Sequence, residues 1–458
     1  MQRIVHYYRH LDHNVRMAYI YTLFFWSCRS ILIDQVLAGY VYVLTNSNEP
    51  VGWVTGINGI VRLMVAIPGG MASDYFRRDT VLKAAGVLGL LCVGLSFTAY
   101  LMNHMTLLYV AYGCWGAYFA IQRPALEAIF ADSVPQGERG LPFTIKYNLM
   151  NLSGVLGPLA CIIFFQLYGD EWTLSGLQLV LCGGLVIGIP GILALFCFND
   201  DLAIDGKHTT KSTRGLSCVE DNGDLVTVDD VAVPGDNAEH VSLLASTTVD
   251  VSRVNTFLCF GPRHVPLILF CTDFIMYNGS GLSIIFLPLF LQNEYGLTPS
   301  HINLLVLVQQ LLVVTTTSLA QFVGRRIGDI ETVVLTRVLA AFVLLAFTYG
   351  TPLWFEITMF LVRTSIMRSS QPLRSAILMD HVPKAWRGRW NALESLTMFC
   401  FCGTSIVGGY LIEQYGYRVC FFVTSLVWFV GLMLEMLLVP IIRNERVLLA
   451  TPSSRVQP

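Results

Sequence analysis

The sequence contains few charged residues. Asp, Glu, Lys and Arg make up 13% of its 458 residues, against about 25% in an ordinary soluble protein. The formal net charge is -2, so neither a nucleic-acid partner nor a polybasic surface is indicated. Hydrophobic residues account for 54% of the chain and the mean hydropathy is +0.59. Most of the chain is therefore expected to face lipid or other protein segments rather than water.

Signatures of catalytic and cofactor sites are also missing. The sequence has no P-loop, no HExxH and no Ser/His/Asp arrangement, so we expect no enzyme activity and no ATP-driven step. Most of the 12 cysteines, among them Cys28, Cys92 and Cys161, lie in apolar runs without a CxxC pair or a Cys/His cluster. They are expected to be small core residues, and we predict no metal and no cofactor.

Twelve apolar runs, each long enough to cross a bilayer as a helix, follow one another along the chain. We therefore predict an all-α membrane protein with twelve transmembrane helices, which we number spans 1 to 12. Six form an N-terminal bundle over residues 1–198, and six form a C-terminal bundle over 264–441. The polar segment 199–263 has no helical period and is expected to be a disordered cytoplasmic linker, with 442–458 as a cytoplasmic tail.

The basic residues are distributed unevenly between the two ends of these spans. If both termini lie inside, the cytoplasmic segments hold most of the 29 Lys and Arg residues, whereas the opposite connections hold only Arg418. Such asymmetry follows the positive-inside rule for an even number of spans. We therefore predict a multi-pass protein with both termini in the cytoplasm.

The two halves repeat one another. Residues 124–140 read PALEAIFADSVPQGERG and residues 372–388 read PLRSAILMDHVPKAWRG, with Pro, Ala, Ile, Asp, Val, Pro, Arg and Gly at matching positions. Both segments end a span and enter a predicted cytoplasmic loop, so the repeat is parallel. The predicted architecture is two parallel-repeat six-helix bundles joined by a linker.

Three short motifs accompany this repeat. Residues 70–79, after span 2, read GMASDYFRRD, a glycine followed four residues later by an acid and then by basic residues. Residues 324–329, after span 8, read GRRIGD and keep the basic residues. With the repeat and the topology, these loops resemble those of the major facilitator superfamily (MFS). Residues 153–158 in span 5 read SGVLGP and resemble part of the proton-antiporter signature of drug exporters.

The resemblance implies alternating access, in which the two bundles rock about a central site lined mainly by spans 1, 4, 7 and 10. It also implies a cytoplasmic gate that closes in the outward-open state and breaks in the inward-open state. In that gate Asp74 would face the start of span 11 near Asn391, where the helix dipole favours a carboxylate. Arg78 would reach Asp132, and Asp380 would meet Arg325 or Arg326. The predicted gate residues are Gly70, Asp74, Arg77, Arg78, Asp132, Arg139, Arg325, Arg326, Asp380 and Arg387.

Ionisable residues at membrane depth are costly and therefore indicate function. On the spans expected to line the cavity, the substrate or coupling candidates are Arg29, Asp34, Arg123, Asp273 and Arg368. In one interpretation, Arg29 and Arg368 form an electropositive centre for a carboxylate or phosphate, and Asp34 or Asp273 takes up a coupling proton. In the other, these residues form structural ion pairs, such as Arg123 with Glu127 one helical turn away.

Three further arginines lie in spans outside this set. Arg337 and Arg374 are near the ends of their spans and are expected to extend to the membrane interface. Arg62 lies midway along span 2, where we expect a helix-packing ion pair rather than a ligand contact.

We predict a secondary active transporter of a small organic solute, either an organic anion or a drug-like molecule, with protons as the candidate coupling ion. The alternative is a transporter-like membrane sensor or adaptor that binds a ligand without net flux. The expected partners are a small-molecule substrate, protons and the lipid bilayer, with the protein a monomer. Residues 239–244, EHVSLL, resemble an acidic dileucine sorting signal. The expected location is the plasma membrane or an endolysosomal or vacuolar membrane.

Overall fold

Helices make up all the regular secondary structure of the described residues. The computed structural model describes residues 12–33, 35–134, 140–203, 261, 264–349, 352–381 and 387–443. Within these ranges the helices form twelve rods at the places of spans 1 to 12, and the predicted all-α fold is confirmed. Their bounds are His13–Leu32 with Gln35–Thr45, Glu49–Tyr75, Arg78–Met102, Met105–Asp132, Gly140–Tyr168, Leu174–Ala194, Val265–Ser283 with Leu287–Tyr295, Pro299–Ile327, Asp329–Ala346, Leu353–Ser369 with Gln371–His381, Arg387–Tyr415 and Tyr417–Met436.

Eight of these rods are long and apolar enough to cross a membrane by composition alone, namely spans 2, 3, 5, 6, 7, 8, 9 and 12. The other four, spans 1, 4, 10 and 11, include three that carry arginines well inside their length: Arg29, Arg123 and Arg363. A less apolar helix is stable at membrane depth when protein rather than lipid surrounds it. The polar composition of these spans therefore fits an interior position in the bundle.

Spans 1, 7 and 10 are interrupted, which the apolar runs did not predict. In span 1 the first helix ends at Leu32 and a second begins at Gln35, and span 7 passes through a 3-10 turn at Ile284–Phe286. In span 10 the second helix begins at Gln371, with Pro372 in its first turn. Proline lacks the N–H that continues a helix and is tolerated at a helix start. The equivalent Pro124 lies inside the continuous helix of span 4.

The packing of the rods repeats with a period of six. In the N-terminal half, span 1 packs against spans 5 and 6, and span 4 packs against spans 2 and 3. In the C-terminal half, span 7 packs against spans 11 and 12, and span 10 packs against spans 8 and 9. The most extensive contacts between the halves are those of span 2 with span 11 and of span 5 with span 8. The chain of the first half continues to Ala203, so the 3-10 turn Asp200–Leu202 belongs to the fold, although it lies within the predicted linker.

The halves meet at one end of the bundle. We call it the odd-loop face, because it carries the connections after spans 1, 3, 5, 7, 9 and 11; the opposite end is the even-loop face. At the odd-loop face Trp172 Nε1 donates to the Leu297 carbonyl at 2.8 Å. Gly52 of span 2 lies so close to span 11 that an added Cβ would sit 2.3 Å from the Ser405 carbonyl oxygen. Small residues allow this close approach of two helices, and the odd-loop face is closed.

Candidate functional site

Arg29 lies beside the break in span 1, in the last turn of its first helix. Its guanidinium lies over the rings of Trp26 and Phe119, with 5.1 and 5.6 Å from Cζ to the ring centroids. A positive charge near a helix C-terminus is favoured by the helix dipole. The break also frees carbonyl groups, and the Tyr112 hydroxyl donates to the Leu32 carbonyl at 2.8 Å. Spans 1 and 4 thus hold this arginine against an aromatic wall.

Arg62 of span 2 reaches the same ring from another direction. Its Cζ lies 5.7 Å from the Phe119 centroid. The backbones of spans 2 and 4 approach closely here, since an added Cβ on Gly116 would lie 2.3 Å from the Asn58 carbonyl oxygen. The sequence predicted a helix-packing ion pair for Arg62 and gave no indication that Arg62 and Arg29 share the Phe119 ring. The available signal was Gly116, one helical turn before Phe119, which permits the close crossing.

A narrow recess lies next to Arg29, between spans 1 and 4. Its free volume of about 10 Å³ is room for about one water molecule. A solute can therefore enter this recess only after its walls move. The lining residues are Phe25, Cys28, Arg29, Leu32, Ile33, Tyr112, Trp115 and Phe119.

Arg123 and Glu127 do not form the ion pair that the structural interpretation offered as an example. Glu127 instead pairs with Lys146 of span 5, with 2.7 Å between Nζ and Oε1. Lys146 Nζ also lies 4.5 Å from the centroid of the Phe130 ring. Arg123 is exposed on span 4. The structure thus separates Arg123 from the acid one turn away.

Asp273 lies in a buried ion-pair network of the C-terminal half. Its Oδ1 is 3.1 Å from Nη2 of Arg337, and its other oxygen pairs with Arg374. Arg337 Nη1 lies 2.7 Å from Oε1 of Glu435. The network joins spans 7, 9, 10 and 12, and its two arginines balance its two acids. Its geometry is that of a structural ion pair.

The expectation that Arg337 and Arg374 extend to the membrane interface was wrong. Arg337 is only 2% exposed, and the side chain of Arg374 is 12% exposed. A buried charge is stabilised when an opposite charge and hydrogen bonds replace water. Asp273 supplies that charge to both arginines, and the sequence positions of span ends did not reveal it.

Span 10 carries two more arginines in different surroundings. Arg368 is exposed, and its Nη1 donates to Gln310 Oε1 of span 8 at 3.4 Å. Arg363 is 1% exposed and lies over the Trp428 ring at 5.9 Å. Its Nη2 donates to Thr364 Oγ1 at 3.0 Å, and its Nε has no hydrogen-bond partner in the described part of the chain. No acid among the described residues forms an ion pair with Arg363.

The even-loop face contains the predicted gate motif. Arg78 pairs with Asp132, the contact expected from the sequence, but both residues belong to the N-terminal half. Arg77 lies 3.0 Å from Asp201 and 3.2 Å from Asp79. Hydrogen bonds to Asp201 and then Asp79 raise the pKa of Arg77 above its ordinary value. These contacts tie the loop after span 2 to the segment after span 6.

The remaining gate predictions are only partly visible. Gly70 has no neighbour within 4 Å of an added Cβ. Arg325 and Arg326 are exposed in the last turn of span 8, with Arg326 Cζ 4.7 Å from the Phe322 centroid. Several predictions fall outside the described residues: all of Asp34 and Arg139, and the side chains of Asp74, Asp380, Arg387 and Asn391.

Known proteins resemble this chain over most of its length. It matches the Major Facilitator Superfamily over residues 17–241 and 269–455. A Na⁺, Li⁺, K⁺/H⁺ antiporter from Planococcus maritimus is 27% identical over 157 residues, which are 34% of this chain and 35% of the antiporter. The chain thus matches only about a third of the length of that relative.

Solved structures of low sequence identity share the fold. A bacterial homologue of the iron transporter ferroportin in an inward-facing state has a TM-score of 0.65 at 14% identity, covering 92% of this chain and 98% of the other. A D-xylose–proton symporter has a TM-score of 0.65 at 12% identity, covering 92% and 96%. With the twelve-rod architecture and its six-span repeat, the family match leads to one conclusion: the chain belongs to the Major Facilitator Superfamily.

Proposed function

We propose that this protein carries a small organic anion across a membrane by alternating access, coupled to protons. Membership of a transporter superfamily supports secondary transport, and such proteins are normally not enzymes. The observation that carries the substrate class is the convergence of Arg29 and Arg62 on Phe119 from two different spans. Two guanidinium groups beside one ring make this part of the bundle electropositive, which would favour an anionic group of a solute.

Guanidinium groups suit this task chemically. Each presents donors in a fixed fork that matches a carboxylate or phosphate, and its flat face stacks on aromatic rings. Arg29 and Arg62 both lie against the ring of Phe119, the kind of stacking contact that suits a guanidinium. Arg368 of span 10 would add a cation from the C-terminal half, and Arg123 a cation nearer the even-loop face.

Proton coupling needs a carboxylate that changes partners during transport. Asp34, five residues after Arg29 in the sequence, is the coupling residue that we place first. Asp273 remains the second candidate, because it holds Arg337 and Arg374 in the described conformation. The antiporter that resembles this chain in sequence and the D-xylose symporter that resembles it in fold are both named as proton-coupled transporters. These two names support proton coupling for this chain.

Orientation and gating complete the proposal. The basic residues favour a cytoplasmic even-loop face, so the closed odd-loop face would correspond to an inward-facing conformation. The Arg77, Arg78 and Asp132 contacts would shape the even-loop gate together with Asp74. We place the protein, as a monomer, in the plasma membrane or an endolysosomal or vacuolar membrane.

Two alternatives to anion transport are drug export by proton antiport and a sensor without flux. Drug-like export by proton antiport draws on residues 153–158, where Gly157 packs directly against Ser30 of span 1. That contact accounts for Gly157 by helix packing without any antiport. A sensor or adaptor would bind ligand but show no flux.

The test is transport by the purified protein in sealed vesicles with an imposed pH gradient and an internal pH dye. Organic anions and lipophilic cations are compared for the wild type, Arg62→Gln and Arg29→Gln, with Arg443→Gln as a matched control at an exposed site. The proposal expects anion-dependent proton flux that falls at least tenfold in the first two variants and persists in the control. Cation-dependent flux that survives in both arginine variants would establish drug antiport instead. Anion binding without any counterflow would establish the sensor.

A further inference from the structure

We propose that Asp170 and Glu413 form two reciprocal caps that hold the odd-loop face closed, each binding the start of a helix in the opposite half. Release of both caps would then accompany opening of the face. The inference rests on the alternating-access part of the proposed function, and it adds two acids that no motif in the sequence indicated.

The first cap passes from the N-terminal half to the C-terminal half. Asp170, in the connection after span 5, accepts a hydrogen bond from the backbone N–H of Ser300 at 2.8 Å through Oδ1. Its Oδ2 accepts from Thr298 Oγ1 at 2.7 Å. Span 8 begins at Pro299, and its own N-cap residue, Thr298, makes no side-chain cap. The first N–H groups of a helix need acceptors, and the opposite half supplies one here.

The second cap passes the other way. Glu413, near the end of span 11, accepts a hydrogen bond from the backbone N–H of Asn48 at 2.9 Å through Oε2. Asn48 is the N-cap residue of span 2 and also makes no side-chain cap of its own. Its side-chain oxygen instead accepts from the Tyr417 hydroxyl at 2.7 Å. An added Cβ on Gly409 would lie 2.9 Å from the Asn48 carbonyl, so span 11 lies directly against this helix start.

The two caps are equivalent in the architecture but not in the sequence. Spans 5 and 11 correspond under the six-span repeat, and so do spans 2 and 8. The aligned segments 124–140 and 372–388 are 248 residues apart, and the same shift pairs Asp170 with Arg418 rather than with Glu413. Each half thus places a carboxylate at the start of the corresponding helix of the other half, from a different sequence position.

A carboxylate at a helix N-terminus gains from both the free N–H groups and the helix dipole. Separation of the halves removes both acids from their helix starts at once, because each cap bridges the interface. Because one rigid-body movement breaks both caps, they act together as a single latch. Loss of one cap should therefore weaken the other. A merely local role for either acid lacks that coupling.

Hydrogen exchange of the full-length protein in lipid nanodiscs tests the coupling, and it needs no knowledge of the solute. The peptides of interest cover residues 297–305, which contain the Ser300 amide, and 46–56, which contain the Asn48 amide. Asp170→Asn preserves the shape but removes the charge and is expected to speed exchange about tenfold at 297–305. The same variant is expected to speed exchange at 46–56, and Glu413→Gln is expected to speed both.

The control variants are Glu171→Gln and Glu294→Gln, exposed acids on the same face. They are expected to leave both peptides unchanged. Unchanged exchange within span 6 shows that a variant is folded. If one of the two cap variants does not fold, the other alone still tests the coupling between the two peptides. Faster exchange only at the mutated cap, or at neither peptide, overturns the latch. Faster exchange at both peptides in a protein that transports no anion keeps the latch and rejects only the proposed substrate.

Discussion

Arg337 and Glu435 lie 2.7 Å apart, Nη1 to Oε1, in the interior of the C-terminal half. They belong to spans 9 and 12, and both side chains are buried. Because Arg337 also holds Asp273, one guanidinium fixes three helices relative to one another. This contact, rather than an exposure at the membrane interface, explains why an arginine is present in span 9.

Arg337→Met should destabilise the protein strongly. The change leaves Glu435 buried without its cation and Asp273 with Arg374 alone, which costs about 3–5 kcal/mol of unfolding free energy. Unfolding of the purified protein in detergent, followed by tryptophan fluorescence, measures the loss. Arg443→Met, at an exposed position, should have no effect. Equal stability of the two variants would show that the network contributes little.

Arg363→Met should act in the opposite direction. Arg363 is as deeply buried as Arg337, but no acid in the described part of the chain neutralises it. Removal of a buried charge without a counter-ion is expected to raise the unfolding free energy by about 1 kcal/mol or more. The same unfolding assay compares the two buried arginines directly. Destabilisation of the kind expected for Arg337→Met would reveal an acidic partner for Arg363.

Gly52→Ala tests the close contact between spans 2 and 11. The added methyl group meets the Ser405 carbonyl, a backbone atom that moves only with its helix. We expect a loss of about 1–3 kcal/mol in unfolding free energy. Gly94→Ala is the matched control, since nothing lies within 4 Å of its added Cβ and alanine is the better helix former. A loss at Gly94 equal to that at Gly52 would contradict the packing argument.

Low pH should weaken the cap made by Asp170. Partial burial raises the pKa of Asp170, but the Ser300 N–H, the Thr298 hydroxyl and nearby His301 outweigh it and hold the pKa below its ordinary value. A lowered pKa means that the cap is fully present above the ordinary value of about 3.9 and is lost as pH falls through the lowered value. Two other titratable residues lie near Asp170. Glu171 follows it in the sequence, and His301 forms a hydrogen bond with Thr298.

The measurement for this pH dependence is the ratio of exchange rates at residues 46–56 between Asp170→Asn and the wild type. Taking the ratio removes the intrinsic effect of pH on exchange. It should stay constant above about pH 4 and approach one only as the pH falls further, through the lowered pKa of Asp170. A ratio that does not change with pH would separate Asp170 from closure of the face.

The sequence predicted the parts of this fold that depend on composition along the chain. The twelve apolar runs and their repeat follow from residues close in sequence, and a helical rod lies at the place of each run. The breaks in spans 1 and 7 escaped prediction because the interrupting residues are themselves mostly apolar. Pro372 gave a sign of the break in span 10, but Pro124 shows that the same residue is also tolerated inside a helix.

The candidate site depends on which faces of different helices meet, and one sequence does not contain that information. Arg62 and Arg337 were each visible as charges in a span, but their neighbours Phe119 and Glu435 come from distant spans. The sequence did not indicate a role for Asp170 or Glu413, because acidic residues are common near the ends of membrane spans. The contact between Arg78 and Asp132 was predictable, since a family motif fixed both positions in advance.

The balance of charge inside the Asp273 network has an electrical consequence. Moving one elementary charge across a membrane potential of 100 mV changes the free energy by about 2.3 kcal/mol. Asp273, Arg337, Arg374 and Glu435 together carry no net charge, so displacement of this network as a unit through the field requires little electrical work. The charges left to make transport sensitive to voltage include the arginines of spans 1 and 2, Arg363, the solute and its coupled protons.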